Sequence, residues 1–112
     1  MHMNWIPLNS VEQLDLIHEA SFVKPQVIFK HSTTCSISNM AFARFERSAA
    51  PDTIDFYYLD LLSFRAISNS IAEKFKVHHE SPQVILLKNG ACTYDESHYA
   101  IMMDELIEQA GV

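Results

Sequence analysis

The dipeptide Asn89-Gly90 joins two strand-like runs, Gln83–Leu87 and Ala91–Tyr94, and it constrains the fold more than any other stretch. Asn-Gly suits the two-residue hairpin turn in which both central residues take positive φ. The two runs are therefore expected to pair antiparallel. Each earlier strand-like run is followed by an amphipathic stretch of helical period, and strand–helix–strand alternation gives parallel pairs. The spacing predicts a short edge strand over Trp5–Leu8 and a first helix opened by Ser10. There Ser10 and Gln13 fit a capping box, and Val11, Leu14 and Ile17 mark the inner face, ending near Ala20. A strand follows over Gln26–Lys30, then a helix from Ser36 to about Ser48 with Ile37, Met40, Ala41 and Phe45 inward. Pro51-Asp52 turns the chain into a strand over Ile54–Leu61. Ser63 is placed to cap a third helix with inner face Phe64, Ile67, Ile71 and Phe75. The last helix is expected over His98–Gln109, with Tyr99, Met102, Met103, Leu106, Ile107 and Ala110 facing inward. The order is β-α-β-α-β-α-β-β-α, an α/β architecture with a mixed sheet, in one domain spanning residues 1–112.

Charge and composition exclude several functions. With a net charge of −6, binding to nucleic acid or to an anionic membrane is not expected. No 18-residue apolar run is present, so no membrane span is expected. The segment Met1-His2-Met3-Asn4-Trp5 shows neither the basic region nor the apolar region of an export signal. Two cysteines without such a signal point to free thiols in a reducing cytoplasm rather than to a Cys35–Cys92 disulfide. With two glycines, the chain has no glycine-rich phosphate loop.

Cys35 carries the chemistry. It follows the run Val27-Ile28-Phe29 and the polar bend His31-Ser32-Thr33-Thr34, and it opens the second helix. Free backbone N–H groups and the helix dipole favour a thiolate there, whereas a free cysteine, with a pKa of about 8.5, is mostly protonated at neutral pH. Three residues on stands Ser38, so the motif is C-x-x-S and no thiol one turn along can close a local disulfide. Ser38 is instead expected to donate a hydrogen bond to the sulfur. Cys92 reads as a plain strand residue, with a resolving role as the alternative. His31 either tunes the thiolate, contacts ligand or is merely polar. His78-His79 lack metal-ligand spacing with the cysteines, so no metal site is expected. Glu80 either positions the loop before Pro82 or is simply solvated.

The element order, with its extra N-terminal strand and helix, resembles the thioredoxin fold. The segment Phe29-Lys30-His31-Ser32-Thr33-Thr34-Cys35-Ser36-Ile37-Ser38 resembles the active-site stretch of the YtxJ-type monothiol bacilliredoxins. His79-Glu80-Ser81-Pro82-Gln83 looks like the second signature of that family. The resemblance implies a thiol–disulfide exchange enzyme of the bacterial cytoplasm that removes bacillithiol from mixed disulfides on other proteins. Bacillithiol would be a co-substrate, with no resident cofactor, and a second thiol or a partner redoxin would release the adduct. The resemblance also implies a cis peptide at Ser81-Pro82 facing the cysteine. Cys35 and Ser38 are then the candidate catalytic residues, and His31, Thr34, Ser36, Ser81 and Pro82 the candidate substrate contacts. One departure stands out: the family's usual residue after the cysteine is proline, and here it is Ser36. Serine restores a backbone N–H and adds a hydroxyl close to the sulfur. Two other readings compete. One is an iron–sulfur module of the monothiol-glutaredoxin kind, whose C-G-F-S motif Ser36-Ile37 does not match. The other is a redox-inactive interaction domain.

Overall fold

The computed structural model describes residues 3–112. Met1 and His2, included above in the reading of the N-terminus, lie outside the described residues. The elements are β1 (Ile6–Pro7), α1 (Gln13–Ala20), β2 (Gln26–His31), α2 (Ser36–Glu46), β3 (Asp55–Asp60), α3 (Arg65–Phe75), β4 (Gln83–Lys88), β5 (Ala91–Ser97), a 3-10 turn (His98–Ala100) and α4 (Met103–Ala110). The five strands form one mixed sheet in the order β1-β3-β2-β4-β5. The pairs β1–β3 and β2–β3 are parallel, and β2–β4 and β4–β5 are antiparallel. This is the thioredoxin fold expected from the element order.

Alternation along the central strands sends side chains to two separate cores. Val27 and Phe29 of β2 and Val84 and Leu86 of β4 pack with Ala41 and Phe45 of α2 and with Met103 and Leu106 of α4. Ile28, Ile85 and Leu87 point the other way, onto Leu14 and Ile17 of α1 and Ile67 and Ile71 of α3. Both faces of β2 and β4 are covered, which is why these strands read as unbroken apolar runs.

Several boundaries differ from expectation, each for a local reason. The capping box at α1 is half formed. Gln13 Oε1 accepts from the Ser10 N–H at 3.0 Å, but the Ser10 hydroxyl donates to Oε1 instead of accepting from Gln13 N–H. Residues 11 and 12 form a turn before the helix, and this leaves Val11 45% exposed. Ser63 does not cap α3. Its N–H and hydroxyl both turn back to the Asp60 carboxylate, and Phe64 takes the cap position. Helix α2 ends at Glu46, and its inner stripe is Ser38, Ala41 and Phe45, with Met40 52% exposed.

The C-terminal region differs most. Strand β5 runs on to Ser97, and the expected helix is broken. His98 takes a left-handed φ of 59°, and Ile101 and Met102 are extended. The break drops Ile101 into the first core, while Tyr99 and Met102, expected inward, are exposed at 66% and 52%.

Candidate active site

The sheet delivers the candidate residues to one of its ends. Strand β2 finishes at His31, and the chain crosses Ser32-Thr33-Thr34 before α2 begins. Cys35 is the N-cap residue of α2, with extended backbone at φ −102° and ψ 123°. Its N–H donates to Ser32 O at 3.2 Å, and its carbonyl accepts from Asn39 N–H at 2.9 Å. The first N–H groups of a helix have no partner within it, and no side chain caps those of α2. Cys35 holds the cap position, but its side chain makes no hydrogen bond to these donors. Cys35 is partly exposed, and its neighbours Thr34 and Ser36 are exposed, so the thiol sits at the surface between polar residues.

Ser38 lies one turn into α2 and is fully buried. Its oxygen accepts from Ser32 N–H at 2.9 Å and lies 2.7 Å from His31 Nδ1. The hydroxyl thus ties α2 to the loop that carries Cys35, rather than making the bond to sulfur expected from the sequence. His31 is equally internal, only 3% exposed. Its ring stacks on Phe42 at 5.0 Å and on Phe29 at 5.5 Å. Burial pushes its pKa below the ordinary histidine value, partly opposed by the Asp60 carboxylate. His31 therefore supports the cysteine loop from below and is not a surface contact for ligand. Asn39 Nδ2 adds a second tie, donating to Thr33 O at 3.2 Å.

The opposite wall comes from the loop before β4. Lys30 pairs in register with Gln83, so Pro82 stands next to the end of β2 from which the cysteine loop departs. The Ser81-Pro82 peptide is cis, as the resemblance implied. Pro82 is buried and its carbonyl accepts from His98 N–H at 3.1 Å, which joins the proline loop to the 3-10 turn. Gln83 reinforces the loop: its Nε2 donates to His78 O at 2.9 Å and its Oε1 accepts from Glu80 N–H at 3.3 Å. Glu80 is also held, with its carboxylate oxygens 3.7 Å from His78 Nε2 and 3.6 Å from His98 Nε2.

Cys92 is not part of this site. It pairs with Leu87 at the far end of β4, and it packs against the second core, on the face away from α2. Burial raises its pKa, as does the Asp95 carboxylate. Both cysteines are free thiols.

Sequence reasoning passed over Lys30. Its side chain has no exposed surface, and its Nζ lies 3.1 Å from Nδ1 of His79, with the Ser68 hydroxyl 3.4 Å from the same nitrogen. A lysine directly after the apolar run Val27-Ile28-Phe29 of a strand covered on both faces was the signal available in the sequence.

Comparison with known proteins agrees with this geometry. A solved structure described as an oxidoreductase candidate with a thioredoxin fold is 34% identical, covers 93% of this chain and 91% of its own, and superposes with a TM-score of 0.80. The Malassezia sympodialis thioredoxin is 20% identical over 100% of this chain and 96% of its own, with a TM-score of 0.75. A Nicotiana alata thioredoxin is 22% identical over 97% and 91%, with a TM-score of 0.71. The last two show the fold alone. The family profile that matches, over residues 6–106, is that of the monothiol bacilliredoxin BrxC. With a cysteine at the cap position of α2, a serine one turn on and that match over most of its length, the chain belongs to the monothiol bacilliredoxin family, whose role is thiol redox chemistry.

Proposed function

We propose that this protein strips a small thiol, bacillithiol by family inheritance, from mixed disulfides on other proteins, with Cys35 as the nucleophile. The observation that carries this reading is the isolation of a partly exposed thiol at the cap position of α2. Ser38 occupies the place one turn along, where a second thiol would resolve it, and Cys92 lies on the other face of the sheet. The Cys35 thiolate attacks the small-thiol sulfur of the mixed disulfide. A new disulfide forms between Cys35 and the small thiol. The old bond breaks, and the target protein leaves as a thiolate that takes a proton. A second small thiol, or a partner redoxin, then attacks the adduct, releasing a small-thiol disulfide or carrying the adduct away.

Cys35 stands at the start of α2, where the first backbone N–H groups have no partner within the helix. Ser36 in place of proline adds one more such donor. The cis-proline loop supplies a backbone edge along which an extended stretch of target can lie, as a short added strand. The chemistry requires a reducing compartment, so we place the protein in the cytoplasm.

The test is intact-mass spectrometry after mixing with a bacillithiolated protein. Bacillithiol is expected on Cys35 and the target is expected to emerge as a free thiol, with both events lost in Cys35→Ser. Transfer that persists in Cys35→Ser would overturn the assignment.

A further inference from the structure

We propose that the open aromatic pocket formed by Trp5, Pro7, Phe42 and Tyr58 takes an arginine side chain of the protein that docks at Cys35. The docking half of this rests on the thiol-exchange reading above, whereas the pocket's affinity for a guanidinium does not.

The pocket has a volume of about 270 Å³ and is lined by those four residues. The ring centroids of Trp5 and Phe42 lie 6.2 Å apart with their planes at 21°. Tyr58 stands steeply to both, at 5.9 Å and 68° from Trp5 and at 5.7 Å and 71° from Phe42. The rings thus bound the pocket in two orientations. All three pack against the first core yet stay partly exposed. An aromatic face carries negative potential, and a cation within about 6 Å of the ring centre is drawn to it, most strongly to tryptophan.

Two carboxylates supply matching charge. Glu46 Oε2 accepts from Trp5 Nε1 at 2.7 Å, which fixes a carboxylate at the edge of the indole. Asp60 follows Tyr58 by two positions on β3, so its side chain leaves the same face of the sheet. Its oxygens accept only from the N–H and hydroxyl of Ser63, both neutral donors. Neither Glu46 nor Asp60 is in an ion pair among the described residues, and no cationic side chain lines the pocket. A guanidinium lies flat on an aromatic face and offers N–H groups in its own plane, whereas an ammonium is a compact point charge. A carboxylate held at the ring edge therefore suits arginine.

The pocket belongs to the side of the sheet that carries the nucleophile. Phe42 is seven positions after Cys35, two turns of α2 and about 10 Å along its axis, on the same side of the helix. Its ring stacks on His31 at 5.0 Å. His31 Nδ1 is 2.7 Å from the Ser38 oxygen, which holds the Ser32 N–H of the Cys35 loop. An extended chain covers about 10 Å in three residues. An arginine three positions from the mixed-disulfide cysteine of a target spans that distance.

The experiment uses the end-capped peptide Arg-Ala-Ala-Cys-Ala-Ala-Arg with bacillithiol on its cysteine, and the same peptide with neutral, isosteric citrulline for both arginines. The quantity read is the ratio of bacillithiol removal rates, arginine over citrulline, at subsaturating peptide. It is expected to be about fivefold in wild type and to fall towards one in Phe42→Leu and in Glu46→Gln. Glu46→Gln keeps an acceptor for the indole and loses the charge. Glu73→Gln, on the exposed surface of α3, is expected to keep the wild-type ratio. An equal fall in Glu73→Gln would show attraction to the overall charge of −6 and would overturn the pocket, as would a wild-type ratio near one. If wild type releases bacillithiol from neither peptide, the exchange reading falls. The pocket is then judged by titrating the two peptides with alanine in place of cysteine and following the indole N–H resonance of Trp5, the one tryptophan of the chain. A saturating shift with the arginine peptide alone upholds guanidinium binding. An unmoved resonance, or equal movement with both peptides, sinks it.

Discussion

Lys30 shows how a single residue can oppose the fold it belongs to. It is the fifth residue of a strand whose six residues are all buried, and burial pushes its ammonium down to about 8. The folded chain therefore binds its proton less tightly than the unfolded chain, so charging Lys30 works against folding at neutral pH. By linkage, the wild type should gain stability as pH rises from about 8 through the ordinary lysine range. Lys30→Met keeps the buried stem and removes the charge. It is expected to raise stability by about 1–3 kcal/mol at pH 7, with the gain shrinking towards pH 10, as measured by urea unfolding at both pH values. A Lys30→Met protein less stable than wild type at pH 7 would mean that the ammonium is fully compensated by His79. Ser38 makes the opposite case. Its hydroxyl serves Ser32 N–H and His31 Nδ1 in a site without solvent. Ser38→Ala strands both groups and should cost about 1–3 kcal/mol in the same assay. His31 adds a pH dependence of its own. Its folded pKa is depressed, so its contribution is complete above the ordinary histidine value and is lost as pH falls below it. The thermal midpoint of His31→Gln should therefore vary less than that of wild type between pH 7 and pH 5.

At the scale of elements, the β4–β5 hairpin was the most legible part of the sequence and remains the most informative. Asn89 and Gly90 take φ of 53° and 83°, the pair of positive values that an Asn-Gly turn predicts. What the dipeptide could not reveal is where the turn docks. Asn89 N–H and Gly90 N–H donate to the carbonyl and hydroxyl of Ser21, just past the end of α1. A Cβ on Gly90 would stand 2.6 Å from Phe22 Cζ. Gly90→Ala should therefore cost about 1–2 kcal/mol from its backbone conformation and crowding together. Adding Phe22→Ala should return only the crowding part, and a double-mutant cycle of unfolding free energies separates the two. The order of elements, the site of Cys35 and the proline loop were legible because period and punctuation record them. The C-terminal break was not, because Tyr99, Met102, Met103 and Leu106 fit a helical stripe while Ile101 was needed in the core. Nor was the inward turn of His31 and Ser38, since a polar residue on a buried face leaves no mark in hydrophobic periodicity.

At the scale of the whole molecule, the question is whether two cysteines make one redox centre. Cys92 and Tyr94, two positions apart on a regular strand, would face the same way. A register shift at Thr93 instead pairs Leu86 with Tyr94 and Leu87 with Cys92. That shift sends Cys92 to the second core and Tyr94 to the first. From Leu87 to Gln83 is four residue steps, about 13 Å along β4, and Cys35 lies past the Gln83 end. A disulfide needs Cα atoms within about 7 Å. The sheet itself therefore stands between the thiols, and bridging them would require dismantling β4 and β5. Diamide treatment of the reduced protein at low concentration should give no two-hydrogen mass loss. In the presence of a small thiol it should give one adduct, on Cys35. Cys92→Ser should transfer the small thiol at the wild-type rate, since burial and Asp95 both keep that sulfur protonated. An intramolecular bridge between the two cysteines would show that the hairpin opens in solution, and the single-thiol mechanism would give way to one with a resolving cysteine.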